Sequence, residues 1–117
     1  CVSGVSAFLG TSHPTALDVA RHAAYVADLV GVDHVGLGLD NGFSQPELDD
    51  RPPGDFDPAY WWPRDAGYAN AIAGISYAPV ETWQQIDAAL QSTGMHADEA
   101  ALVMGGNMLR VARQVWR

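Results

Sequence analysis

The hydrophobic pattern of the first forty residues predicts a strand, a helix and a second strand. Residues 2–9 are mostly apolar and the turn-forming residues 10–14 follow them, which favours a buried strand. Thr15 and Asp18 have the spacing of a capping box, and Gly31 stands where a helix would end. Apolar side chains recur between them at helical spacing: Val19, Ala23, Val26, Ala27 and Val30. We therefore predict an amphipathic helix over residues 15–30.

Residues 32–40 alternate in the manner of a strand. One face carries the bulky side chains of Val35, Leu37 and Leu39, and the other carries small or polar ones, namely His34, Gly36, Gly38 and Asp40. A strand, a helix and a strand in this order form a βαβ unit, whose strands pair in parallel through a right-handed connection. Two strands do not make a stable sheet, and the sequence offers no third strand of comparable quality.

The rest of the chain consists of a predicted loop followed by predicted helices. Residues 41–79 are rich in proline and glycine and contain the aromatic cluster Tyr60-Trp61-Trp62, which is typical of a long irregular loop with a binding role. Helical spacing then predicts helices over residues 80–92, 97–104 and 108–117. Gly105 and Gly106 would separate the last two helices, and Asn107 would cap the final one.

Length and charge narrow the possible functions. The chain has 117 residues, which suits a single domain, and its net charge of -8 comes from 14 acidic residues against six arginines and no lysine. Nucleic acids and anionic membranes are therefore unsuitable partners, and no apolar run is long enough to span a bilayer. We expect a soluble, cytoplasmic protein. The single cysteine, Cys1, stands at a position where translation would not start, so we expect a processing point or a cut there.

Asp40 is the first candidate for a catalytic role. It closes the second predicted strand, and the carboxyl ends of parallel strands are where α/β folds place their active sites. The alternative is an aspartate that caps a loop or a following helix. The pattern alone does not decide between these two roles.

The remaining polar residues give no complete site. The histidines are scattered, and no His-x-His, His-Glu-x-x-His or Cys-x-x-Cys spacing occurs, so we expect no metal ligands in this chain. A Ser-His-Asp site has no supporting motif. The cluster Tyr60-Trp61-Trp62 either lines a substrate cleft or forms a hydrophobic plug under the loop.

Two segments together resemble the C-terminal part of the membrane dipeptidase family, also called renal dipeptidases. They read LDVARHAAYVADLVGVDHVGLGLD and, after the long loop, MGGNMLRVARQVW. The resemblance covers residues 1–40 and 80–117. It implies an α/β fold in which this chain forms the last two strands and the terminal helices of a (β/α)8 barrel, with residues 2–9 as strand seven and residues 32–40 as strand eight.

The resemblance also implies a chemistry. Family members hydrolyse dipeptides at a two-zinc site, and Asp40 matches the strand-eight aspartate that transfers protons beside the metal-bound water. We expect Asn41, Gly42, Tyr60 and Trp61 to contact the dipeptide substrate. The zinc ligands of the family lie on earlier strands, so a preceding barrel segment of the same enzyme would supply them, and the isolated chain would be inactive. A homodimer is also expected.

One departure from the family concerns the loop after Asp40. Family members commonly continue with Phe-Asp-Gly, whereas this sequence continues with Asn41-Gly42-Phe43. Two alternatives therefore stay open. The first is a non-enzymatic acidic interaction domain that docks a partner through the tryptophan-rich loop. The second is another metal-dependent amidohydrolase, in which Asp40 ligates the metal directly.

Overall fold

The two predicted strands pair in parallel, but each is much shorter than its pattern suggests. In the computed structural model, β1 spans Val2–Ser3 and β2 spans Leu37–Gly38. Val2 lies opposite Leu37, and Ser3 lies opposite Gly38. The helix that connects them makes this a βαβ unit, so the predicted order of elements and the parallel pairing are confirmed.

The structure describes residues 1–41, 57, 60 and 76–116. It divides into two compact units. The first consists of Cys1–Asn41 and Ser76–Arg117, and the second of Gly42–Ile75. All elements described below belong to the first unit.

The helix α2, Ala16–Val30, forms as predicted. Thr15 caps it: the backbone N–H of Asp18 donates to the Thr15 hydroxyl at 3.3 Å, and the backbone N–H of Thr15 donates to the Asp18 carboxylate at 2.9 Å. Gly31 ends the helix with a φ of 90°, a backbone conformation that glycine adopts easily. The buried side chains of α2 cover the sheet, and they are Ala16, Val19, Ala20 and Ala23.

The first strand ends early because a distant segment pairs with the chain beyond it. Val5 forms an antiparallel bridge with Tyr77, and the backbone N–H of Ser6 donates to the carbonyl of Ser76 at 2.9 Å. The Ser6 hydroxyl in turn accepts from the N–H of Ser76 at 3.0 Å. The prediction of strand over residues 6–9 is therefore wrong, and these residues form a short helix, α1, Ser6–Leu9.

The second strand begins later than predicted. Val32–His34 form a single 3₁₀ turn, so the prediction of strand from residue 32 is wrong. The prediction that the bulky side chains of this segment face the core is closer to the structure, since Val35 and Leu39 are buried and Leu37 is half-buried. Gly36 is also buried, and a Cβ there would lie within 3.5 Å of both Cys1 and Met108.

The C-terminal part is helical and packs on α2. A 3₁₀ turn, Val80–Thr82, leads into α3, Trp83–Ser92, whose fully buried Ile86 and Leu90 belong to the same core as α2. The helix α4 spans Ala97–Ala101, shorter than the predicted 97–104, and the segment Leu102–Gly106 follows it with a kink at Gly105, whose backbone is not helical, so the predicted break there is confirmed. The final helix, α5, spans Asn107–Val115. None of the helices in the described ranges is long and apolar enough to cross a membrane.

Asn107 does not cap α5, contrary to the prediction. It is the first residue of the helix and is buried, and its amide nitrogen donates to the carbonyls of Val32 and Val35, both at 2.8 Å. Arg110 adds a bond from its guanidinium to the carbonyl of Asp33 at 2.6 Å. These three bonds attach the last helix to the turn that leads into β2.

The capping box makes the stability of the fold depend on pH. The hydroxyl and the backbone N–H of Thr15 hold the pKa of the Asp18 carboxyl below its ordinary value of 3.8. Because the folded pKa is lowered, the carboxylate contributes stability above pH about 4 and loses it as the pH falls through the folded value.

Asp18→Asn should therefore reduce the free energy of unfolding at pH 7, and its difference from the unmodified chain should shrink below pH about 4. Asp28→Asn, exposed near the other end of α2, is the control and should lose no stability at pH 7. A difference for Asp18→Asn that is independent of pH would contradict this account.

The bonds of Asn107 predict a large effect from a small change. Asn107→Ala leaves two backbone carbonyls without their donor, so the free energy of unfolding should fall by about 2 to 4 kcal/mol in urea titrations. Gln114→Ala, at an exposed position of the same helix, should change it by less than about 0.5 kcal/mol. Equal effects of the two substitutions would show that the bonds of Asn107 add little stability.

Candidate functional site

Asp40 lies two residues beyond the carboxyl end of β2, and its backbone is left-handed. Leu39 before it is buried, whereas the side chain of Asp40 is exposed. The backbone φ of Asp40 is 60°, and no other non-glycine residue in the described ranges has a positive φ. Aspartate tolerates this left-handed conformation better than most residues because its side chain is short and polar. The turn therefore places a carboxylate in solvent directly beyond the strand end.

Asn41 fixes the chain immediately after this turn. Its amide nitrogen donates to the carbonyl of Ala78 at 2.6 Å, across 37 positions of sequence. Ala78 is fully buried, and its own N–H donates to the carbonyl of Gly4 at 2.8 Å. The turn at Asp40 is thus connected through Asn41 to a buried residue that is itself bonded to the end of β1.

Gly4 allows these segments to meet. A Cβ on Gly4 would lie 2.7 Å from the Leu39 carbonyl oxygen and 3.2 Å from the Ala78 side chain, and the first distance is shorter than real Cβ contacts. Only a residue without a side chain fits between the two. We call Gly4, Leu39, Asp40, Asn41 and Ala78 the strand-end cluster.

The other predicted substrate contacts do not all fall within the described residues. Gly42 and Trp61 lie outside them. Tyr60 belongs to the second unit, where its backbone N–H donates to the carbonyl of Asp57 at 3.2 Å and its side chain is 74% exposed. Of the predicted site residues, the structure therefore places Asp40 and Asn41 together at the strand end.

The described residues do not assemble a metal site of their own. Within residues 1–41, 57, 60 and 76–116, no group of three or more His, Cys, Asp or Glu side chains could hold a metal ion. His13 hydrogen-bonds with the neighbouring Ser12 hydroxyl, and the backbone N–H of His96 donates to the Glu99 carboxylate at the start of α4. In the described part of the chain, the strand-end cluster offers one exposed carboxylate, that of Asp40.

A cleft at the opposite end of the sheet is a feature that the sequence did not indicate. It has a volume of about 620 Å³ and lies beside the start of β1 and the residues before β2. Its walls are mainly apolar, with two histidines and the Cys1 thiol among them: Cys1, Val2, Ser3, Ala7, Phe8, His22, Val26, His34, Val35 and Gly36. Four separated segments contribute to it, so no local pattern could have predicted it.

The strand-end cluster can be tested by adding single methyl groups. Gly4→Ala forces the Leu39 carbonyl or the Ala78 segment to move, so it should lower the free energy of unfolding by about 1 to 3 kcal/mol. Gly38→Ala is the matched control on β2, since its Cβ would meet its nearest neighbour, Cys1, at an ordinary 3.8 Å. It should leave stability unchanged or slightly raised. Two equally tolerated substitutions would show that the close approach at Gly4 is not tight.

Comparisons with family models, with curated proteins and with solved structures give no significant match to this chain.

Proposed function

We propose that this chain is the closing part of a zinc-dependent dipeptidase of the membrane dipeptidase type, and that Asp40 is its proton-transfer group. The observation that carries the proposal is the exposed Asp40 carboxylate directly beyond the carboxyl end of a parallel strand. The resemblance of residues 17–40 and 104–116 to the family supplies the reaction. The carboxyl ends of parallel strands are where α/β enzymes place their catalytic groups.

The chemistry of Asp40 follows from its carboxylate. Hydrolysis of a dipeptide requires a water molecule to lose a proton as its oxygen attacks the peptide carbonyl, and the leaving amine must gain one when the C–N bond breaks. A single carboxylate can accept the first proton and deliver the second, so it ends the cycle as it began. Asp40 is exposed on the turn beyond β2, where a bound substrate could reach it.

The zinc ions are assigned to another part of the enzyme. In the family that the chain resembles, the zinc ligands lie on earlier strands, so a preceding segment of the barrel would hold both ions. That segment would also extend the sheet. In the described residues the sheet has two short parallel strands on which α2 packs, so strands from that segment would enlarge it.

Exposed apolar side chains support the need for further cover. Phe8 on α1 is 65% exposed, and Tyr25 and Leu29 on α2 are exposed to a similar degree. Tyr25 and Leu29 lie one turn apart on the same face of α2, and large apolar side chains exposed together are typical of a surface that a partner covers. The homodimer expected from the resemblance stays a prediction.

A second candidate function is favoured by α5. Its apolar face lies in solvent, and its members are Met108, Leu109, Val111 and Val115, followed by Trp116, which is 81% exposed. The polar face carries Arg110 and Arg113 in an otherwise acidic chain. A helix of this kind fits an interaction domain that docks a partner without catalysing a reaction.

Substitution of Asp40 tests the proposal in the enzyme completed by the preceding segment. Asp40→Asn keeps the size of the side chain but cannot accept the proton, so kcat for dipeptide hydrolysis should fall by about 10²- to 10⁴-fold while the bound zinc is retained. Asp28→Asn, another exposed carboxylate in the first unit, should leave kcat unchanged.

The alternatives give different results in the same experiment. Loss of zinc from Asp40→Asn would favour an amidohydrolase in which Asp40 ligates the metal. Unchanged turnover would overturn the proposal. A completed chain that hydrolyses no dipeptide at all would favour the interaction domain.

A further inference from the structure

We infer that Asn41 is a positioning residue that holds Asp40 in its left-handed turn, and that it does not bind substrate directly. The inference rests on the proposed function for its catalytic consequence, but its structural part stands without it. It revises the expectation that Asn41 contacts the dipeptide.

The first step concerns the backbone of Asp40. A φ of 60° costs aspartate less than most residues, but it is still less favourable than a negative φ, so contacts on both sides of Asp40 help to hold it. Before the turn, Leu39 is buried in the core and abuts Gly4. After the turn, the side chain of Asn41 supplies the fixed point, through its bond to the carbonyl of Ala78.

The second step concerns what Asn41 is attached to. Ala78 is fully buried, and its N–H donates to Gly4 at the end of β1. The Ala78 side chain also lies beside Gly4, since a Cβ built on Gly4 would be 3.2 Å from the Ala78 Cβ. The acceptor of the Asn41 bond therefore belongs to the core and does not follow the movements of an exposed loop.

The third step links this arrangement to catalysis. A carboxylate that transfers protons must be held within a fraction of an ångström of its working position, and a shift of about 1 Å can reduce the rate roughly 100-fold. If the Asn41 bond is lost, Asp40 can relax to an ordinary negative φ, which swings its Cα–Cβ bond to a new direction. One N–H of the Asn41 amide donates to the protein itself, and the role that we assign to this bond in the reaction is to fix the direction of Asp40.

The structural part is tested in the 117-residue chain by NMR. A positive φ produces a strong intraresidue NOE between the amide proton and Hα of Asp40, and this signal should be present in the unmodified chain. Asn41→Asp is nearly isosteric but cannot donate, so it should weaken that NOE, and Asn41→Ala should do the same. Gln114→Ala, an exposed amide on α5, is the control and should leave it unchanged. Persistence of the NOE in both Asn41 variants would overturn the inference.

The catalytic part is tested in the enzyme completed by the preceding segment. Asn41→Asp and Asn41→Ala should lower kcat by about 100-fold and change KM by less than about threefold, whereas loss of a substrate contact would raise KM. Asn41→Gln keeps the donor and should recover part of kcat. A raised KM with unchanged kcat would overturn the positioning role.

Failure of the proposed function and failure of the inference about Asn41 give different results. If Asp40→Asn retains full turnover, the proposed function fails, and the NMR result for Asn41 still decides whether it holds the turn. If Asn41→Ala does not fold, the nearly isosteric Asn41→Asp gives the same reading in both experiments.

Discussion

The buried amide of Asn107 is the interaction on which the arrangement of the sheet depends. It donates to two carbonyls, of Val32 and Val35, that belong to the turn before β2, and Arg110 donates to the carbonyl between them in sequence. Among the described residues no buried side-chain polar atom lacks a partner, so this junction satisfies its polar groups inside the protein. The last helix thereby fixes where β2 begins. The strand-end cluster fixes where it ends, and the position of Asp40 depends on both.

The sequence predicted the elements whose signals are local. The helix α2 carries its start signal at Thr15 and Asp18, its stop signal at Gly31, and a clear apolar period between them, and all three lie within one stretch of the chain. Tertiary contacts therefore did not alter the bounds of this helix.

The strands and the candidate site depended on residues far away, and this is why their details were missed. Nothing in residues 2–9 shows that Ser76 and Tyr77 will pair with Val5 and Ser6 and end the strand. Asp40 could be proposed from its place after an alternating run, but its left-handed backbone and the bond from Asn41 to Ala78 could not. The asparagine at position 107 looked like a cap because asparagine is common at helix starts, yet its side chain is used by a turn more than seventy positions earlier.

The long sequence separations of these bonds bear on how the chain acquires its structure. The bonds that complete the sheet join residues 37, 70 and 75 positions apart. Bonds across such long separations form slowly, because the entropy of closing a long loop is lost before the contact is made. The helix α2 can form as soon as it is synthesised, but β2 cannot reach its final register until α5 exists. Formation of the sheet is therefore coupled to the docking of the last helix on residues 32–35.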